Sequence, residues 1–183
     1  MKIDFTINNK AGFTLIELIA SLVIFALMFT IAGMAIVMAA RGYMITKENA
    51  HMAQKAQLAM TRMNRELMEI TDVIAKDDAQ SYIIYDLIGG RNALAKDNTT
   101  IRLFSDIGSQ TTLPDMSAGD ILVDDVAGFA LTTNKGGGPW VPGTDNIGDL
   151  STVRIDLVMS RADSGVGDKT FTTTVRPRNT KTQ

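Results

Sequence analysis

Few side chains in this sequence are placed to do chemistry, and the one most at odds with its surroundings is Glu17. It stands at the mouth of a run, Leu18 to Ala40, that holds no charged residue and only the hydroxyls of Ser21 and Thr30. A carboxylate at the centre of a membrane helix costs on the order of 3 kcal/mol on insertion scales, and less near an end. Such a group needs a partner of opposite charge, or else it sits interfacially and is solvated by headgroups. The other reactive types form no catalytic set. Cysteine is absent, which excludes a disulfide framework, a thiolate metal site and a cysteine nucleophile. His51 is the sole histidine, so a zinc site and a Ser-His-Asp arrangement both lack support, and a solvated helix residue is the simpler reading. Gly136-Gly137-Gly138 lacks the Lys and Ser/Thr of a phosphate loop. Acidic residues cluster at Asp124-Asp125, Asp145 with Asp149, and Asp163 with Asp168. Oxygen ligands of this kind can hold calcium. None has the spacing of a known loop motif, so solvated turn aspartates are the simpler account. We therefore expect no catalytic residue, no metal site and no required cofactor, with calcium as the one candidate ion.

The elements that position Glu17 come from hydropathy. The chain has 183 residues and a formal net charge of -2. That length suits one domain plus a membrane segment, and that charge gives no basic stripe for nucleic acid. The hydrophobic content of 45% hides a two-part molecule, apolar at the start and rich in Gly, Thr and Asp afterwards. Leu18 to Ala40 would form a helix about 34 Å long, against a hydrocarbon core of about 30 Å. Lys2 and Lys10 precede it, partly offset by Asp4, and Arg41 and Lys47 follow. The positive-inside tendency puts the N-terminus in the cytoplasm and the remainder outside. A secretory signal peptide cut near Ala39-Ala40 and Gly42 is one rival, although its apolar region is usually shorter. A plain signal anchor fits the hydropathy equally well.

Helical pattern continues past the apolar run. Ala53, Ala56, Met60, Met63, Leu67, Ile70 and Ile74 recur at spacings of three and four, giving an apolar seam. Arg62 with Glu66 and Arg65 with Glu69 are four apart on the other side. No proline occurs between Phe13 and Ile74, and Gly33 and Gly42 are the only weak points. One helix from about Thr14 to Ala75 is expected, with a coiled coil as the alternative use of the seam. From Ser81 the period changes to two. Strands are expected over 81–87, 100–105, 120–123, 128–133, 152–160 and 170–176, with turns at Gly89-Gly90, Asp106 to Gly108, Gly136 to Gly138 and Asp163 to Gly167. No helical stretch intervenes, so one antiparallel sheet should lie over the Met60 to Ile74 seam. Trp140, between Pro139 and Pro142, reads as a packed loop anchor, with a contact role as the alternative.

The run Gly12-Phe13-Thr14-Leu15-Ile16-Glu17-Leu18, with Lys10 ahead of it, resembles the processing signature of type IV pilins and of the pseudopilins of type II secretion. The resemblance implies that a prepilin peptidase cuts between Gly12 and Phe13 and N-methylates the new terminus at Phe13. It also implies that Glu17 pairs with the N-terminal ammonium of a neighbouring subunit. Elementary physics agrees. Glycine lets a protease approach the backbone, and cleavage leaves a cationic amine four residues before Glu17. Later segments are similar to the larger minor pseudopilins of the J type and to related minor pilins: Val126-Ala127-Gly128-Phe129, Gly138-Pro139-Trp140, Val153 to Leu157, Phe171 to Val175, and Arg178-Asn179. The missing helix proline, and the missing cysteines of a C-terminal disulfide loop, point the same way.

The expected protein is thus α+β and pilin-like: a leader over 1–12, a long helix over 13–75 with its membrane part at about 18–40, and a β-rich head over 76–183. Its expected role is that of a non-enzymatic assembly subunit, a minor pilin or pseudopilin of a type IV pilus or type II secretion filament. Its partners would be prepilin peptidase, other pilin or pseudopilin subunits and the membrane. It would lie in the bacterial inner membrane as a single-pass protein, with the head periplasmic or extracellular, before entering a filament. The alternative is a membrane-anchored adhesion or binding protein with a pilin-like leader, its contacts made between Asn134 and Gly148.

Overall fold

The computed structural model describes residues 12–79, 81–160 and 167–178. The expectations for Lys2, Asp4, Lys10, Asp163 and Asn179, and for most of the leader, fall outside these residues. Contacts divide the chain into two units, Met1–Lys47 and Glu48–Gln183.

Helix α1 runs over Leu15–Met68. Its first part, within the N-terminal unit, has no core of its own. Leu18, Leu22, Phe25, Phe29, Ile31 and Val37 are among its exposed side chains, from 50% to 73% accessible. A helix apolar on every side must be covered by something other than water. It is also long and apolar enough to cross a membrane. Its hydroxyls are already satisfied: Ser21 Oγ donates to Leu18 O (2.9 Å) and Thr30 Oγ1 to Ala26 O (2.8 Å). Neither therefore needs water along the apolar run. Gly33 and Gly42 lie inside α1 and neither interrupts it.

The second unit begins with the last turns of α1. The predicted seam holds there: Ala56, Met60, Met63 and Leu67 are buried, joined by Ala59. The predicted helix end does not hold. α1 stops at Met68 and strand β1 occupies Asp72–Asp77. The β-branched run Thr71, Val73 and Ile74 favours extended backbone. Thr71 also ties the chain to the neighbouring strand, its N–H and Oγ1 both donating to Asp86 O at 2.9 and 3.0 Å. Ile70 still falls in the core, whereas Ile74 turns to a second cluster. Among the described residues neither predicted Arg–Glu pair forms. Glu66 instead accepts from Asn92 Nδ2 at 3.3 Å.

The remaining strands are β2 Tyr82–Leu87, β3 Gly90–Asp97, β4 Thr100–Phe104, β5 Asp120–Val123, β6 Val126–Lys135, β7 Gly138–Pro139, β8 Thr152–Met159 and β9 Lys169–Val175. Every pairing is antiparallel. The expected single sheet is in fact two, ordered β1-β2-β3-β4-β5 and β7-β6-β8-β9. The tight Val123-Asp124-Asp125-Val126 passage separates them, with Asp125 at φ 59. Extended pairing cannot run through that left-handed residue. β3 was not expected as a strand, because Ala93, Leu94, Ala95 and Lys96 prefer helix. Two short hairpins around Ile88-Gly89 and Asn98-Thr99 clamp it between β2 and β4, and those turns decide its form.

The main core joins Met63, Leu67 and Ile70 to Ile83, Tyr85 and Leu94 of the first sheet and to Leu131, Val153, Ile155 and Leu157 of the second. The layout is α+β and pilin-like: one long N-terminal helix with antiparallel sheets. Leu67 is 0% exposed at the centre of this core. Leu67→Ala is expected to cost about 2–5 kcal/mol of stability, read as a lower urea midpoint of the detergent-solubilised chain.

Candidate functional site

The residues singled out by sequence lie where α1 begins. Gly12, Phe13 and Thr14 are outside the helix and exposed. The Gly12–Phe13 peptide is therefore open backbone, as a protease requires. A Cβ built on Gly12 meets nothing within 4 Å. This chain itself thus places no steric demand for glycine there. Phe13 is 81% exposed.

Thr14 caps the helix. Its Oγ1 accepts from Glu17 N at 3.4 Å, and its carbonyl accepts from Glu17 N at 3.1 Å and Leu18 N at 3.2 Å. Sequence reasoning missed this role, although Thr14-Leu15-Ile16-Glu17 carries the spacing of a capping box. Glu17 is exposed in the first helical turn. A carboxylate there is favoured by the unpaired N–H groups of the helix start. That favour covers only part of the cost of holding it in a membrane. The arrangement places an exposed carboxylate one turn past an exposed peptide bond, at the end of an apolar helix.

The acidic clusters of the second unit are placed differently. Lys55 Nζ donates to Asp124 Oδ1 at 2.6 Å and to Asp125 Oδ2 at 2.9 Å, so an ammonium already occupies the space between the carboxylates. The two hydrogen bonds raise the Lys55 pKa, and the bond from Lys55 holds Asp124 below its ordinary value. Asp145 is likewise lowered, by Lys135 Nζ at 2.6 Å and then by the Val141 N–H at 2.9 Å. Among the described residues no group of three or more His, Cys, Asp or Glu converges on one point. His51 is exposed on α1. Trp140 is 3% exposed, donates from Nε1 to Asn146 O (2.8 Å), and its carbonyl accepts from Thr133 Oγ1 (2.8 Å). It anchors the loop and does not present its ring.

The Lys55 link has a pH signature. Asp124 has a lowered folded pKa, so its contribution is full above the ordinary carboxylate value of about 4 and fades as pH falls below it. Lys55 has a raised folded pKa, so its contribution is full below 10.5 and fades as pH rises above that value. Lys55→Met is expected to lower stability by up to about 1 kcal/mol on the plateau between these limits. The difference from the parent protein should shrink at either extreme, as followed by urea titrations across pH.

Residues 7–33 match the family model for the prokaryotic N-terminal methylation motif. The matched span covers Gly12, Phe13 and Glu17 and the apolar run as far as Gly33. No curated protein and no solved structure matches the chain. The motif supports a type IV pilin-like protein, one handled by prepilin peptidase and assembled with other pilins.

Proposed function

We propose that the chain is a minor pilin or pseudopilin, cut between Gly12 and Phe13, methylated at Phe13, and built into a type IV pilus or type II secretion filament. The observation that carries this reading is the join between an open Gly12–Phe13 peptide and an exposed apolar helix that starts two residues later. Among the described residues the N-terminal unit has no internal core, so it needs lipid first and other helices afterwards. Both environments are apolar, and a subunit that leaves a membrane for a filament exchanges one for the other. Orientation follows the charges of the sequence, with the short N-terminus cytoplasmic and the β-rich unit on the far side. The helix without proline and the head without cysteine favour a minor component, and the segments from Val126 to Val175 favour one similar to the J type.

The test is fractionation. The mature chain is expected in sheared filaments or in detergent complexes with other pilin-like subunits, and the identity of those subunits names the machine. A chain recovered only as a lone membrane protein would refute the reading.

The acidic pairs are proposed to serve as ion pairs rather than as calcium ligands, since Lys55 already engages Asp124 and Asp125 and Lys135 engages Asp145. Adding a calcium chelator is expected to leave the melting temperature of the purified chain unchanged.

A further inference from the structure

The edge strands are β1 and β5 in one sheet and β7 and β9 in the other, and among the described residues no strand pairs with the outer side of β9 or of β5. Such edges present unpaired N–H and C=O groups, and proteins usually blunt them with bulges, proline or charge. β9 pairs with β8 over its whole length without a register shift and contains no proline, whereas the four-residue β5 shifts register against β4 between Ile121 and Val123. Along its free side runs a groove of about 310 Å³, lined by Ala53, Gln57 and Met60 of α1 and by Phe171, Thr172 and Thr173 of β9. The sheet therefore stops before it has covered the helix. β5 offers what the groove lacks, since Ile121 is 59% exposed on that edge strand.

The charges left over at the two edges have opposite sign. Lys169 opens β9 and Arg176 and Arg178 follow it, with Asp168 as the acidic neighbour. Among the described residues none of these three cations is in an ion pair, and Lys169 lies over the Phe171 ring at 5.5 Å. Asp120 opens β5 and Asp124 and Asp125 follow it, and the last two share the single Lys55. A β9–β9 or β5–β5 contact would therefore oppose like charges, which is unfavourable across strands. A β5–β9 contact would oppose unlike ones.

We propose that the β5 edge of one copy of this chain adds antiparallel to the β9 edge of a second copy, with Ile121 opposite Thr173 and its side chain in the groove over Met60. This register brings the Asp124-Asp125 turn towards Lys169 and sets Asp120 diagonal to Arg176. The surfaces joined are different, so each joined pair keeps one free β5 and one free β9 edge and the contact propagates instead of closing. The contact involves the β-rich unit alone, so it can fail without touching the cleavage at Gly12, and cleavage can fail without touching it.

Because the sequence has no cysteine, cross-linking gives a clean test. Directly opposed residues of antiparallel strands lie about 4.5–5.5 Å apart, within disulfide reach. Ile121→Cys and Thr173→Cys are made as separate full-length proteins in detergent and oxidised alone or mixed. The mixture is expected to give at least roughly fivefold more dimer than either protein alone, and the double variant a ladder of multimers. Asp120→Arg in the Ile121→Cys protein should cut the mixed dimer roughly fivefold, the scale of one cross-strand charge pair. Arg176→Asp in the Thr173→Cys protein should restore it. Unchanged urea midpoints keep these readings free of misfolding. Equal yields from single and mixed proteins, indifference to the charge reversals, or cross-linking in membranes only to a different protein would each overturn the proposal.

Discussion

Replacing Gly12 by valine is expected to stop maturation outright, leaving a precursor heavier by the whole leader and lacking the methylated Phe13 terminus. The structure separates two reasons why glycine could matter. If the fold needed it, a Cβ would strike something or the backbone would have positive φ. Neither holds, since a built Cβ meets nothing within 4 Å and no positive φ is found at Gly12. The requirement then lies in the enzyme, which must close around an extended backbone. Intact-mass measurement distinguishes the outcomes. The parent protein should begin at N-methyl-Phe13 and the valine variant at its unprocessed start. A parent protein with Met1 intact, or one cut beyond Ala40, would remove the prepilin reading altogether. The unfolding of the β-rich unit should be the same in both proteins, because Gly12 lies outside it.

The second large effect is expected at Glu17. Glu17→Ala should be cleaved and methylated normally yet fail to enter filaments, a loss of an order of magnitude or more in the sheared fraction. Processing should survive because the helix cap survives: Thr14 Oγ1 accepts from the backbone of residue 17, which alanine retains. Assembly should fail because the carboxylate is the one group able to answer a terminal ammonium in an apolar surrounding. Glu17→Gln tests charge against shape. It keeps the size and the hydrogen-bonding reach but cannot neutralise the amine, so it should behave like alanine. Recruitment of either variant at the level of the parent protein would end the pairing role. A failure of cleavage would instead mean that the peptidase reads Glu17.

What could be read from sequence follows from how local each signal is. The start of α1, the buried seam at Ala56, Met60, Met63 and Leu67, and the exact bounds of β5 depend on neighbours in the chain, and all were legible. β8 was nearly so, because Val153, Ile155 and Leu157 alternate cleanly with Arg154 and Asp156. The end of α1 was not legible. Ile70 and Ile74 fit a helical seam by spacing, and the docking of Thr71 on Asp86 tips the β-branched residues that follow towards a strand. β3 was hidden for the same reason, its helix-favouring residues being overruled by two hairpins. The split into two sheets rests on the backbone of Asp125, which no periodicity records. At the candidate site Gly12, Phe13 and Glu17 were singled out because their spacing is itself the signal. The cap at Thr14 was missed although its four-residue pattern was present. Lys55 could not have been found, since its partners lie 69 and 70 positions away.

Trp140 has a use beyond holding its loop. It is the only tryptophan in the chain, and it is buried with its indole N–H engaged by Asn146. Excitation of tryptophan therefore selects a single buried chromophore in the β-rich unit. Its emission should sit to the blue and shift red only when that unit opens. Melting of the membrane helix, detergent exchange or removal of the leader should leave the spectrum alone. The protein thus carries an intrinsic optical gauge that reports one of its two halves and is blind to the other.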